Sequence, residues 1–384
     1  MSRRDAIAIF VRFAPGTPAP PASWPLGRAA LELGAQGHRI VFCQPTTAVT
    51  WREERLLVTG QVATTDGWRP VTDQAIGAAY LRVSALTELR RLVPLAKTFQ
   101  QAGVPLCNPL SLVSLCRDKL SWDRAAHRAG LPFPPSVTDL ADMERSLRQW
   151  GEEGGGGVVK PRLGACGRDV VRIRLDGDVV WLEEAGPVRE LAGGELSGWL
   201  GARQAQEPQL LQREVIVAPG PWRGLSIRSL VQRLPSGSWT SCPSVVRVTT
   251  DGIAGNYSRG AEVTPLDSFP HSIGGRSGTE LSDQVVRLDQ QVTRAIDAEL
   301  GLAAPLALEV GIDYVPDGHG ELHGIEVNDT PQGRLAIVAD GDGTDLVSSH
   351  RAALRRPLDY LLAAAPQLDE ACRQLRTEPV PTLP

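Results

Sequence analysis

The chain is nearly without lysine. Of its 40 basic residues only three are lysines, Lys97, Lys119 and Lys160. A skew of this kind toward arginine is what a GC-rich genome produces. It singles out each surviving lysine as a residue present for its chemistry, because a compact ammonium and a planar guanidinium do not fit the same site. Cysteine is also sparse: six are scattered at 43, 107, 116, 166, 242 and 372, with no C-x-x-C pair. That spacing argues against a disulfide framework or a zinc site and fits reduced thiols. No apolar run approaches the length that spans a bilayer, so no membrane partner is expected. The opening "MSRRDAIAIFVRFAPG" meets Asp5 and Arg12 too soon for a signal peptide and reads as a first strand, so a cytoplasmic setting is expected. Net charge is −4, which leaves no basis for bulk nucleic-acid binding. There is no G-x-G-x-x-G, no G-x-x-x-x-G-K-[ST] and no Ser/His/Asp or Cys/His signature.

What is present is length and rhythm. The 384 residues are enough for two or three domains. The first segment alternates strand and helix: "AIAIFVRF", "PLGRAALELGAQGH", "RIVFCQP", "AIGAAYLRV", "LTELRRLVPLAKTFQQAG", "VPLCNP". This βαβ pattern predicts a small parallel sheet with helices on its faces. A mixed α+β body follows, with strands at "VVKP", "QLLQREVIV", "LSIRSLVQRL" and "SWTSCPSVVRVTT", and a long helix at "LSDQVVRLDQQVTRAIDAELG". The tail, "TDLVSSHRAALRRPLDYLLAAAPQLDEACRQLR", reads as helical; its helices either dimerise or pack on the rest of the chain.

Within "IEVNDTP", Glu326 and Asn328 sit two apart in a strand and therefore face the same side. A buried acid beside a buried amide is costly without compensation. Asp313, in "GIDY", lies on the probable hairpin partner. Three hard oxygen donors on one face suit Mg²⁺; the competing reading is an edge hairpin with solvated acids. In "VVKPRLGACGRDV", Lys160 ends an apolar strand, and Gly164 and Gly167 follow in a tight turn. Such glycines let backbone N–H groups cradle phosphate oxygens, although an ordinary β-hairpin with a surface lysine has the same pattern. Arg228, Arg247, Asn256 and Arg259 surround turns and together suit phosphate or carboxylate oxygens; separately each reads as a surface residue. Lys119 lies on a helix after "NPLSLVSLCRD". His319 and His323 have the spacing of a helical metal pair, but Asp317, Gly318 and Gly320 mark a hairpin turn, where the two do not share a helical face. Cys166 reads as a small filler in its glycine turn.

Taken in order, "NPLSLVSLCRDKL", "VVKPRLGACGRDV", "LLQREVI", "VVRV…GNYSRGAE" and "GIDY…IEVNDTP" resemble the ATP-grasp superfamily, with the RimK-like and glutathione synthetase-like carboxylate–amine ligases nearest. The resemblance covers about Asn108 to Arg334. It implies an N-terminal α/β domain at 1–112, a central ATP-grasp lobe at 113–211 and a C-terminal lobe with a helical tail at 212–384. It gives Lys119 and Lys160 to the phosphates of ATP, with Gly164, Ala165 and Gly167 in the loop above them. The adenine hinge would be the strand Gln212–Ile216, with Glu214 and Val215 used through their backbone. Asp313, Glu326 and Asn328 would hold two Mg²⁺ ions, and Arg228, Arg247, Asn256 and Arg259 would face the γ-phosphate and an acyl-phosphate. The chain departs from the pattern at Ala165, where Ser or Thr is usual, at Asp169 in place of Gly, and at Ser226 in place of Asp; "VAPGPWRG" offers no acid for the ribose.

The implied reaction joins a small-molecule or peptide carboxylate to an amine at the cost of ATP. Alternatives are a ligase acting on a ribosomal peptide, a non-catalytic nucleotide-binding protein of the spore-coat-associated kind, and phosphoryl transfer without ligation. Loops near Trp222 and Trp239 are expected to shape the substrate site, and a homo-oligomer is compatible with the helical tail.

Overall fold

A computed structural model describes residues 5–12, 25–45, 47, 49–83, 86–164, 169–184, 188–217, 220–222, 224–249, 261–331 and 343–380. Three six-stranded sheets follow one another along the chain. The first holds β1 (Ala6–Val11), β2 (Ile40–Cys43), β3 (Val49–Arg52), β4 (Arg55–Thr64), β5 (Gly67–Arg82) and β6 (Leu106–Cys107), in the order β3-β4-β2-β1-β5-β6. Every residue of β1 and β2 is buried, which explains why both read as continuous apolar runs. Strands β1, β2, β5 and β6 pair in parallel, as the βαβ rhythm predicts, with α1 (Pro25–Ala35) and α2 (Leu86–Ala102) as crossovers. The sheet is nevertheless mixed, because β3 and β4 enter antiparallel. Their half-exposed residues lack the apolar run that marks the parallel strands.

Helices α3 (Leu110–Arg117) and α4 (Lys119–Arg128) lead to the second sheet. It contains β7 (Ser136–Val137), β8 (Gly157–Pro161), β9 (Val171–Asp176), β10 (Val179–Glu183), β11 (Arg189–Ala192) and β12 (Gln209–Arg213), with α5 (Leu140–Glu152) and α6 (Leu196–Gln206) against it. Met143, Leu147 and Trp150 form the buried stripe of α5, and they pack with Val159, Ile173 and Leu182 of the sheet. Asp139 caps α5 by accepting from the Ala141 and Asp142 amides.

The third sheet contains β13 (Gly224–Arg233), β14 (Trp239–Ser241), β15 (Val245–Thr249), β16 (Glu262–Pro265), β17 (Glu309–Pro316) and β18 (Leu322–Asn328). Long helix α7 (Gly278–Leu300) covers one face, opened by a capping box between Ser277 and Glu280. Ile227, Val231, Val246, Val310, Ile312, Tyr314 and Val327 meet Leu281, Val285, Val292 and Ile296 there. Helices α8 (Gly343–Ala363) and α9 (Ala365–Leu375) close the chain.

Two long-range packings depart from the expected division. The stretch from Leu112 to Phe133, placed by the sequence at the start of the central lobe, packs into the core of the third sheet and not of the second. The tail helices pack on the first sheet: Leu358, Tyr360, Leu361, Leu368 and Cys372 share a core with Ile7, Ile9, Ile40 and Phe42. The expected boundary at 211/212 also cuts β12, which pairs with β8 over its full length and with β7 at Leu211 and Gln212.

Candidate functional site

The second and third sheets bring their polar groups to a common cleft. On the side of the second sheet, Lys160 emerges from β8 with its ammonium donating to Oε1 of Gln212 at 2.8 Å. Both side chains are buried. Burial pushes the Lys160 ammonium down to about 8, Lys119 adds to this, and Glu326 opposes it. Lys119 donates to the Gly164 carbonyl at 2.9 Å. Its position is set locally. Asp118 caps α4, accepting from the Leu120 amide at 3.1 Å and the Ser121 hydroxyl at 2.8 Å. Arg162, two residues beyond Lys160, grips the same carboxylate at 2.7 and 2.5 Å. The start of α4 and the exit of β8 are thus locked together, and two ammonium groups converge. A cavity of about 10 Å³ between the sheets is lined by both lysines, Asp123, Gln212 and Glu326.

On the side of the third sheet, Asp313 pairs directly with Glu326 across β17 and β18, and Asn328 stands opposite Gly311. The three expected donors therefore share one face. Asp313 is clamped: Arg228 binds it through two nitrogens at 2.6 Å each, Arg247 adds a third contact, and the Asn328 amide donates at 3.3 Å. Burial raises the Asp313 carboxyl, but the two guanidinium groups outweigh it and hold the group below the usual carboxylate range. Two carboxylates and an amide are hard oxygen donors of the type Mg²⁺ takes, so the set fits the ion. Asp313 must exchange at least one arginine contact to serve. Among the described residues no group of three or more His, Cys, Asp or Glu forms a metal cluster.

Behind this face lies a second polar knot. Asp289 on α7 is 1% exposed and accepts from Ser229 at 2.6 Å, Ser241 at 2.6 Å and Tyr314 at 2.8 Å. Burial pushes its carboxyl up to about 6, with the three hydroxyls opposing. Ser229 and Tyr314 are the chain neighbours of Arg228 and Asp313, so the knot supports both from beneath. The end of β18 is fixed by Arg117, which binds Asp329 at 2.6 Å, and by Asn108, whose amide donates to the Glu309 and Asp329 carbonyls at 2.9 and 2.6 Å.

Several expectations need correction. The strand foreseen over Gln212–Ile216 ends at Arg213. The Glu214 amide donates to the Gly156 carbonyl at 2.9 Å, and its carboxylate pairs with Arg172 and Arg174, each at 2.8 Å. Both arginines lie on β9, so the Glu214 side chain is fixed where the strand ends. Val215 is half-buried and Ile216 is 50% exposed. Trp239 lies on the α7 side of the third sheet, donating to Asp297 at 3.0 Å beneath the Arg233 guanidinium, and so is turned away from the polar face. Trp222 packs against Phe269 and His271. The hairpin turn at Asp317 is as read: its carboxylate accepts from the His319 and Glu321 amides and from the His323 ring. Ala165, Cys166, Gly167, Asn256 and Arg259 lie outside the described residues. Sequence reasoning missed Asp118, Arg162 and the side chain of Gln212. The first two had a signal in "RDKL" and "KPRL", where charged neighbours flank each lysine; Gln212 had none.

The chain is similar to known proteins along most of its length. The sequence profile of YheC/D-like ATP-grasp proteins matches residues 131–363. A curated relative is the glutamate–LysW ligase ArgX of Sulfolobus acidocaldarius, 26% identical over 102 residues. That match covers 27% of this chain and spans about a third (36%) of the relative's length. Among solved structures, the D-cycloserine synthetase DcsG superposes with a TM-score of 0.55 at 17% identity, covering 94% of this chain and 100% of that one. The ATP-grasp ligase PsnB, complexed with a phosphomimetic variant of a minimal precursor, Mg and ADP, gives 0.52 at 16% identity, over 92% and 99% of the two chains. At these identities the structures establish the shared fold.

Proposed function

This chain belongs to the YheC/D-like ATP-grasp family, and on that ground we propose that it is an ADP-forming ligase that joins a carboxylate to an amine through an acyl-phosphate. The observation that carries this reading is the meeting of Lys119, Lys160 and Glu326 around one cavity, beside the Arg228–Asp313–Arg247 set.

In this reading Lys119 and Lys160 receive the nucleotide phosphates, and the segment from Gly164 to Asp169 covers them. Asp313, Glu326 and Asn328 would hold Mg²⁺, in two ions. When bound, the metal would supply positive charge that offsets the charge of the phosphates. Arg247 and Arg228, released in part from Asp313, face the γ-phosphate and the reacting carboxylate. An oxygen of that carboxylate attacks the γ-phosphorus, the bond to ADP breaks, and an acyl-phosphate forms. The amine nitrogen then attacks the acyl carbon, phosphate leaves, and the nitrogen sheds a proton. The protein's part is positioning and charge neutralisation by Lys and Arg in a cleft closed to water, since an acyl-phosphate is lost to hydrolysis. The substrates are small molecules or peptides bearing these groups. The unpaired thiols at Cys43, Cys107, Cys116, Cys242 and Cys372 and the demand for ATP suit the cytoplasm.

A second reading, nucleotide binding without ligation, has one observation on its side: both Asp313 oxygens are engaged by arginine. One experiment separates the two. Protein with Mg-ATP is offered pooled carboxylic acids and amines, ADP is measured, and products are sought by mass spectrometry. Substrate-dependent ADP with a product lighter than its parts by one water is the expected outcome, lost in Lys160→Ala and Glu326→Gln. Tight ATP binding without turnover in any pool of acids, amines and peptides favours the second reading.

A further inference from the structure

Arg162 stands outside the cavity that Lys119 and Lys160 line, yet it touches the elements that carry both. Its backbone belongs to the second sheet. It follows β8, and its amide donates to the Pro208 carbonyl at 2.8 Å, just ahead of β12. Its side chain crosses to α4, whose Trp122, Ala125 and Ala126 are packed in the core of the third sheet. There Nε and a terminal nitrogen take the two oxygens of Asp118 at 2.7 and 2.5 Å. The Arg162 carbonyl accepts from the Lys119 amide at 3.2 Å, and Leu163 pairs with Asp118 in an isolated antiparallel bridge. One residue thus joins the two bodies that flank the cleft, next to both lysines.

An ion pair at a surface commonly contributes little, because water screens it and two side chains must be immobilised. This pair differs in geometry: the arginine engages both carboxylate oxygens, and the Asp118 side chain is 7% exposed. Burial raises the Asp118 carboxyl, but hydrogen bonds from Arg162 and Ser121 outweigh it and keep the group below its usual range. Asp118 also has two separable roles. Its cap on α4 uses the Leu120 amide and the Ser121 hydroxyl, both within its own helix. Its side-chain tie to the exit of β8 uses Arg162. Removing the guanidinium leaves the cap in place.

The tie has a force to oppose. Two ammonium groups that converge on one cavity repel each other. Burial lowers the Lys160 ammonium, and Lys119 lowers it further, against Glu326, Asp123 and Asp313. Each lysine head rides on a flexible four-carbon stem, so without a fixed backbone spacing the heads would part until a nucleotide drew them together.

Resting on the ligase reading, which gives both lysines to the nucleotide, we propose that Arg162 is a positioning residue: through Asp118 it fixes the start of α4 against the exit of β8, and so holds Lys119 and Lys160 at the spacing of one polyphosphate before the nucleotide binds. It does not touch the nucleotide. It removes reorganisation that binding would otherwise have to drive.

The test is a binding cycle. Calorimetry with Mg²⁺ and a non-hydrolysable ATP analogue gives the affinity of the full chain, of Arg162→Met, of Lys119→Met and of the double variant, each first checked for an intact thermal transition. Arg162→Met is expected to weaken binding on the order of tenfold. Arg162→Lys should recover little, because one ammonium does not match both carboxylate oxygens as the planar fork does. In the Lys119→Met background the loss of Arg162 should cost less than about twofold, since no second ammonium is left to place. Arg128→Met, which breaks the pair with Glu299 at the far end of α4, is the control and should leave affinity unchanged. Unchanged affinity in Arg162→Met overturns the proposal, and so do losses that simply multiply with those of Lys119→Met, the pattern of a residue that serves the fold alone. If Arg162→Met does not fold, the same cycle is run with Arg162→Lys and the same outcomes decide. The ligase reading fails separately: no substrate-dependent ADP from any pool would refute it while leaving the coupling of Arg162 to Lys119 standing.

Discussion

The two sheets that face each other across the cleft handle charge in opposite ways. The second sheet presents lysines, each with one neutral partner: Lys160 on the Gln212 amide oxygen and Lys119 on the Gly164 carbonyl. The third presents arginines already closed on a carboxylate, with Asp313 held by Arg228 and Arg247. The lysine side is open to an anion and gains charge pairing when one arrives. The arginine side already has its guanidiniums engaged on Asp313 and must exchange partners before it can act. In a chain with 37 arginines and three lysines, that contrast gives physical meaning to the positions where lysine remains.

The hardest way to break the comparison is to remove the carboxylate that closes the arginine side. Asp313→Asn deprives Arg228 and Arg247 of their shared counter-charge in a buried setting. It is expected to cost about 3–5 kcal/mol of stability, read by urea denaturation, and to abolish Mg-dependent ADP formation. A loss within about 0.5 kcal/mol, as for surface substitutions, would mean that the clamp contributes little to the fold.

On the lysine side the effect should fall on nucleotide handling and not on the fold. Lys160→Ala is expected to lower ADP formation by roughly 10²–10³-fold, with Lys160→Arg recovering little, because the bulkier fork does not fit beside Gln212. Full rescue by arginine would show that charge alone matters there.

The buried knot under the arginine side gives a pH signature. The Asp289 carboxyl lies at about 6 in the fold against an ordinary 3.8, a gap worth about 3 kcal/mol. Because the value is raised, its stabilising contribution is full below 3.8 and is lost as pH rises through about 6. Asp289→Asn should therefore flatten the fall in stability across that window relative to the parent chain. Parallel pH–stability curves would mean that the carboxyl is not held as the geometry implies.

The smallest effect expected is in nucleotide affinity at alkaline pH. Burial, with Glu326 opposing, leaves the Lys160 ammonium at about 8, so Mg-ATP binding should weaken as pH rises through that value. Calorimetry on the parent and on Lys160→Met, in which the step should vanish, checks this.

The sequence was most legible where chemistry is local. The period of two placed Glu326 and Asn328 on one face and matched Asp313 to them, and the rarity of lysine drew attention to two residues that meet at one cavity. It was least legible where a side chain's partner is distant along the chain. Nothing in "QREVIV" announced that Arg172 and Arg174 would take the Glu214 carboxylate where the strand ends. Periodicity marks which face of α8 or α9 is buried but not which sheet buries it, so the tail helices were left unassigned. The β3–β4 pair went unread because its half-exposed residues carry no strong pattern. The Arg82–Glu309 contact joins residues 227 apart in the sequence, a separation that no local pattern encodes.

The packing of the tail helices on the first sheet has a consequence for synthesis. Strands β1 and β2 and the α1 residues packed on them, Leu26, Ala30 and Leu33, emerge from the ribosome early, yet the part of their shared core that Leu358, Leu361 and Leu368 cover stays open until those residues are made. At translation rates of about 5–20 residues per second, that interval is on the order of tens of seconds. During it, part of the core around the first sheet stays exposed to water.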